Sequence, residues 1–103
     1  MSVLVEFAIF PTDKGDSVSK HVSKVIDLIR NSGVPYQLTA MGTLVETATL
    51  PEALDILNRS YQVLEKDSKR VYITMNMDIQ KDKNNRLKTK VEAIENKIGA
   101  VNK

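Results

Sequence analysis

Arg70-Val-Tyr-Ile-Thr-Met-Asn-Met-Asp-Ile79 alternates without a break: Val71, Ile73, Met75, Met77 and Ile79 fall on one side of an extended chain and Tyr72, Thr74, Asn76 and Asp78 on the other. Successive strand side chains point to opposite faces, so this stretch predicts a β-strand with an apolar side and a wet or ligand-facing side. Upstream of it, Thr49-Leu-Pro-Glu52 has the form of a capping box with proline in the first helical turn. A helix is therefore expected to run from there to about Lys66, with Ala53, Leu54, Leu57, Tyr61 and Leu64 turned inward.

Further upstream, Tyr36 to Ala40 and Leu44 to Thr49 read as two strands. Met41-Gly42-Thr43 lies between them, which makes a hairpin turning near Gly42. At the start of the chain, Val3, Val5, Phe7 and Ile9 share one face of a strand, and Leu4, Glu6, Ala8 and Phe10 the other. Pro11 stops that strand, and Thr12 to Asp16 is a polar loop. Asp16 or Ser17 is placed to cap a helix carrying Val18, Val22, Val25, Ile26 and Ile29, with Gly33 at its C-terminal end. Downstream of the opening strand, Gln80 to Asn85 is a charged linker, and Leu87, Val91, Ile94 and Ile98 form the narrow stripe of a third helix.

The order strand, helix, strand, strand, helix, strand, helix describes two crossover units with right-handed connections. It predicts an α+β fold, the ferredoxin-like βαββαβ sandwich with an additional C-terminal helix, as one domain over residues 1–103. Two helices then cover one sheet face. The other face receives Glu6, Ala8, Thr74, Asn76 and Asp78 with Leu4, Phe10 and Tyr72, too apolar for open water and too polar for a core, so a second subunit or a small ligand is expected there.

Composition narrows the chemistry. The chain has 103 residues, no cysteine and one histidine, His21, which excludes a disulfide framework, thiolate catalysis and His-rich metal sites. No run of about 18 apolar residues occurs, so no membrane span is expected and the cytoplasm is the default compartment. Net charge is +2 but uneven: residues 1–65 hold five Lys/Arg against eight Asp/Glu, and residues 66–103 hold ten against five. A solvated basic helix accounts for that tail. With only five Phe and Tyr and no aromatic on the strand Leu44 to Leu50, nucleic acid is an unlikely partner. The loop Pro11-Thr-Asp-Lys-Gly-Asp16 has no Arg and no glycine-rich phosphate pattern. No catalytic residues and no metal ligands emerge, and the chain reads as a non-enzyme.

The most informative cluster is Tyr36-Gln-Leu-Thr-Ala-Met-Gly-Thr-Leu-Val-Glu46. A carboxylate inside a sheet is costly unless it is paired or hydrogen-bonded. Glu46 therefore either faces solvent or pairs with a basic residue across the sheet or an interface, or it meets a cation or a donor-rich ring.

This segment resembles the Tyr-x-Leu-Thr-x-Met-Gly-Thr-x-x-Glu pattern of the thiamine-binding family, small proteins of ferredoxin-like fold. Tyr36, Leu38, Thr39, Met41, Gly42, Thr43 and Glu46 match it. Ile9-Phe10-Pro11, Gly15, Ser17-Val18-Ser19 and Arg70-Val71-Tyr72 extend the likeness along most of the chain. The first loop departs from the family, since Thr12-Asp13-Lys14-Gly15-Asp16 stands where a Gly-Thr run is usual. The resemblance implies non-enzymatic binding of thiamine or its hydroxymethylpyrimidine moiety, in a homo-oligomer, usually a homotetramer, with no cofactor. Glu46, Thr43 and Ser17 are the leading expected ligand contacts, with Ser19, Tyr36, Met41 and Asn76 in support. The alternative is a structural or regulatory oligomeric module without a small-molecule ligand.

Overall fold

The computed structural model of the chain describes residues 1–16 and 18–103. Seven elements follow one another: β1 (Ser2–Pro11), α1 (Ser19–Ser32), β2 (Tyr36–Leu38), β3 (Thr43–Thr47), α2 (Leu50–Glu65), β4 (Val71–Gln80) and α3 (Arg86–Ile98). The strands make one sheet in the order β2-β3-β1-β4, with every neighbouring pair antiparallel. The fold is the ferredoxin-like βαββαβ sandwich with a C-terminal helix added.

β1 lies inside the sheet because it alternates cleanly and has a partner on each side. Val5 stands opposite Val45 of β3 and Met77 of β4, and the same register sets Phe7 between Thr43 and Met75. Val3, Val5, Phe7, Ile9 and Val45 thus share the face on which Val25 and Ile29 of α1 and Ala53, Ile56 and Leu64 of α2 pack, and these ten residues are the buried core. Burying an aliphatic or aromatic side chain of this kind contributes roughly 1.5–3 kcal/mol, so this face carries most of the stability.

Several local expectations need correction. The inward line of α2 runs through Ala53, Ile56, Ser60 and Leu64, while Leu54 and Tyr61 stay exposed. At 100° per residue both lie to one side of that line, on the flank turned away from α1, which meets α2 through the side bearing Val63. Buried Ser60 is tolerated because its hydroxyl donates to the Ile56 carbonyl at 2.7 Å. In α1 the N-cap is Val18, with no side-chain cap bond, so Asp16 does not cap it, and Ser17 lies outside the described residues. Gly33 ends α1 in the left-handed conformation, as its position predicts. β2 is only three residues long. The capping box holds: the Glu52 amide donates to the Thr49 hydroxyl at 3.3 Å.

The third helix lies across the other sheet face, against β3 and β1. Only the first half of its stripe is sheltered. Leu87 and Val91 are half-buried, and Ile94 and Ile98 are open to solvent.

Candidate functional site

The hairpin between β2 and β3 is set by one side chain. The Thr39 hydroxyl donates to the Gly42 carbonyl at 2.8 Å and accepts from the amides of Met41 and Gly42 at 3.3 and 3.2 Å. The Thr39 amide also donates to the Gly42 carbonyl, closing a four-residue turn. Gly42 has to be glycine here, because a Cβ on it would stand 3.0 Å from the Phe7 carbonyl oxygen of β1. The turn therefore sits flush against the strand beside it, and Met41 is lifted out to 84% exposure.

Behind this turn is a cavity of about 280 Å³. Phe7 and Ile9 of β1, Val22, Val25 and Ile26 of α1, and Leu38 to Thr43 of the hairpin line it. Among the described residues no charged side chain contributes to this lining. The polar groups are the hydroxyls of Thr39, already committed to the turn, and of buried Thr43. Val22, Ile26 and Leu38 are shared with an open depression on the outer side of α1, where Ser19, Ser23, Asp27 and Arg30 supply polar groups. The arrangement is an apolar slot with a hydroxyl in its wall, opening towards polar side chains. Such a slot suits the faces of a flat heterocycle and one edge atom.

A second constellation occupies the opposite sheet face. Glu46 stands across from Leu4 and is 7% exposed. Its Oε2 accepts from the Arg86 amide at 2.8 Å and from the Ser2 hydroxyl, and its Oε1 accepts from the Leu87 amide at 3.1 Å. The carboxylate thus caps α3, whose own N-cap, Asn85, is left-handed and makes no side-chain cap bond. The Arg86 guanidinium, 3% exposed, completes the circuit. Its Nε donates to the Ser2 hydroxyl at 3.0 Å, Nη1 to Asp78 Oδ2 at 2.7 Å, and Nη2 to the carbonyls of Ser2, at 2.9 Å, and Asp78. Lys90 stands 3.7 Å from the same Asp78 oxygen. Burial by itself raises the Glu46 carboxyl. The Ser2 hydroxyl, the two amides and the Arg86 charge together outweigh burial and hold the group below its ordinary value.

The expected site residues are therefore divided between two faces. Met41 and Thr43 line the cavity, and Ser19 borders the adjoining depression. Tyr36 packs half-buried against the core on the same sheet face. Glu46 and Asn76 lie on the far face, where the Asn76 amide reaches Glu6 Oε1 at 3.4 Å. Thr43 and Glu46 are three apart on one strand, and that odd spacing sends them to opposite sides. The geometry satisfies the Glu46 carboxylate with hydrogen bonds, from the Ser2 hydroxyl and the amides of Arg86 and Leu87, with the Arg86 cation nearby and not in direct contact with it. Arg86 was hidden at the end of a charged run and was not singled out by sequence; its one local signal is a long cationic side chain at the first position of a helix.

The family model described as thiamine-binding protein matches residues 5–95. This chain belongs to that family. It is 35% identical over 92 residues to the UPF0045 protein MJ1052 of Methanocaldococcus jannaschii, covering 89% of this chain and 91% of that one. It is 30% identical over 95 residues to a UPF0045 protein of Mycobacterium bovis, covering 92% and 93%. The crystal structure of the Methanocaldococcus protein superposes with a TM-score of 0.80 over 90% of this chain and 95% of that one, at 34% identity. A Thermotoga maritima structure, TM0486, shares the fold at 20% identity, with a TM-score of 0.79 over 91% and 99%. Membership supports a general thiamine-binding role, and a family of binding proteins gives the chain a binding and not a catalytic part. Among the described residues no helix is long and apolar enough to cross a membrane.

Proposed function

We propose that this member of the thiamine-binding protein family binds thiamine through its hydroxymethylpyrimidine half, held in the cavity behind the Thr39–Gly42 turn, without catalysing a reaction. The observation that carries the reading is the cavity itself. At about 280 Å³ it lies just below the usual range of ligand pockets, roughly 300–1,000 Å³, and suits one ring better than two. Phe7, Ile9, Val22 and Leu38 present apolar surface to the ring faces, and Met41 stands at the rim. The Thr43 hydroxyl, both donor and acceptor, is the partner for an aminopyrimidine edge. Because the lining is uncharged, the cationic thiazolium gains nothing inside it and extends outward past Ser19. Ser17, two positions before the first residue of α1 in the sequence, stays in the proposal as a contact. Glu46 acts one layer away, as the cap that docks α3. The working unit is a homo-oligomer, a homotetramer in the fullest form of the proposal.

Calorimetric titration with thiamine and with hydroxymethylpyrimidine tests this reading. Both ligands are expected to release heat and raise the melting temperature. Thr43→Val, nearly isosteric and lacking the hydroxyl, is expected to weaken both by about 2- to 12-fold, the worth of one net hydrogen bond. Absence of heat and of any thermal shift at millimolar ligand sinks the proposal and leaves an oligomeric module without a ligand.

A further inference from the structure

Met41 is the most exposed large apolar side chain among the described residues, at 84%. It also lines the cavity behind the turn, so part of it borders the slot while the rest stands in water. Its backbone has no freedom to retreat. The Met41 amide donates to the Thr39 hydroxyl at 3.3 Å, and Gly42, next along, is pressed against the Phe7 carbonyl of β1. The side chain is the part that can adjust, being unbranched and free to turn about three bonds. So little of it is removed from water that it contributes little to the stability of the fold. Its surface is left for whatever enters the slot.

The other sulfur atoms of the chain are better sheltered. Met1 and Met75 are 43% and 37% exposed, and Met77 packs half-buried against the core. No cysteine competes for an oxidant. A thioether carries no ionisable proton, so access to the sulfur ranks the four methionines, and Met41 comes first.

We propose that Met41 is a redox-modification site that sets how tightly the cavity holds its ligand. The co-reactant is a hydroperoxide. The thioether sulfur attacks its terminal oxygen: a sulfur–oxygen bond forms as the oxygen–oxygen bond breaks, sulfur gives up two electrons, and the proton of the transferred hydroxyl passes to the leaving oxygen. The products are the sulfoxide and water, or an alcohol from an organic peroxide. In the reduced state the thioether lies at the edge of a heterocycle in the slot, a favourable sulfur–ring contact. The sulfoxide is polar and holds its new oxygen in water, so that contact is lost. The hydrogen bonds that set the turn come from Thr39 and the backbone, not from the sulfur, so the fold is left as it was. Sulfoxide reductases reverse the step, which makes the change a switch. The order of oxidation rests on exposure alone, whereas the effect on affinity rests on the ligand reading above.

Stepwise treatment of the full chain with hydrogen peroxide, removed before each measurement, tests this. Peptide mass mapping is expected to show the sulfoxide at Met41 before Met1, Met75 or Met77. At the dose that oxidises Met41 alone, calorimetric titration with hydroxymethylpyrimidine is expected to show affinity about 2- to 12-fold weaker, the worth of a sulfur–ring contact. The melting temperature of the ligand-free protein is expected not to move, and methionine sulfoxide reductase to restore the affinity. In Met41→Leu the same dose is expected to leave the variant's affinity where it stood before treatment. Oxidation of another methionine ahead of Met41, or unchanged affinity at full Met41 oxidation, overturns the inference while the ligand reading stands. A fall in the ligand-free melting temperature at that dose assigns the loss to the fold and overturns it as well. No heat from the untreated protein sinks the ligand reading, and this inference with it.

Discussion

Replacing Arg86 with methionine is expected to cost the fold about 3 kcal/mol or more, because the buried guanidinium's bonds to the Ser2 hydroxyl and carbonyl are lost and each buried acceptor left without a partner costs about 1–3 kcal/mol. Total stability for a domain of this kind is of the order of 5–15 kcal/mol, so the variant stands near the threshold of folding. The size follows from what the guanidinium serves at once. Its four side-chain bonds reach the Ser2 hydroxyl and carbonyl at the start of β1 and the Asp78 carboxylate and carbonyl near the end of β4. Methionine fills the volume and satisfies none of them. Glu46 keeps its two amide donors but loses the cation beside it. Urea unfolding at fixed protein concentration measures the loss, since any self-association makes stability concentration-dependent. Arg86→Lys is expected to fall between the two, because an ammonium keeps the charge but cannot fork to both strands. A change below 1 kcal/mol on replacing Arg86 with methionine contradicts the role assigned here.

The same circuit sets the response to acid. The folded-state Glu46 carboxyl is held below its ordinary value of 4.5, so the carboxylate's contribution is fully present above that pH. It is lost as the pH falls from there through the lowered folded-state value, where the group takes up a proton in both states. Glu46→Gln is expected to flatten that part of the stability profile while lowering stability at neutral pH. A profile with unchanged slope below pH 4.5 means that another carboxyl governs acid unfolding.

Gly42→Val carries the second large effect. The new Cβ stands 3.0 Å from the Phe7 carbonyl oxygen, and the two methyl groups have to be placed around it. The obstacle is backbone of an interior strand, not the end of a flexible side chain, so the hairpin tip must lift instead. Overpacking of this kind costs about 1–3 kcal/mol. Lifting the tip also moves Thr43 and Met41, and the cavity behind the turn changes shape with them. The expected result is a lower melting temperature together with loss of measurable ligand heat at concentrations that saturate the wild type. Gly42→Val binding with wild-type affinity places the ligand elsewhere.

Much of this architecture is legible from the alternation of β1 and β4, from the capping box at Thr49 and Glu52, and from the glycine after α1, because each is a local consequence of backbone geometry. What periodicity does not report is how far a neighbouring layer reaches. Val71 to Ile79 reads as a buried row, yet α2 is centred on Ala53, Ile56, Ser60 and Leu64 and leaves the outer strand half uncovered. The cavity was partly legible: the Thr39–Gly42 turn and Thr43 stand out in the sequence, whereas the bond from the Arg86 amide to Glu46 links positions 40 residues apart and has no local signature. Strand parity alone separates Thr43 from Glu46.

The bonds between Ser2 and Arg86 join residues 84 positions apart. Closing so long a loop is slow relative to forming a local hairpin, and it comes before any reward from the contacts it makes. β1 is synthesised first, but its β4 partner and the helix that clasps its first residue arrive only with about the last third of the chain. During synthesis β1 therefore waits with its β4-facing edge unpaired, although α1 and α2, which cover its apolar face, are already made. α3 is the last element in chain order, and until β4 and α3 are made the unpaired edge of β1 is the part of the nascent chain open to aggregation.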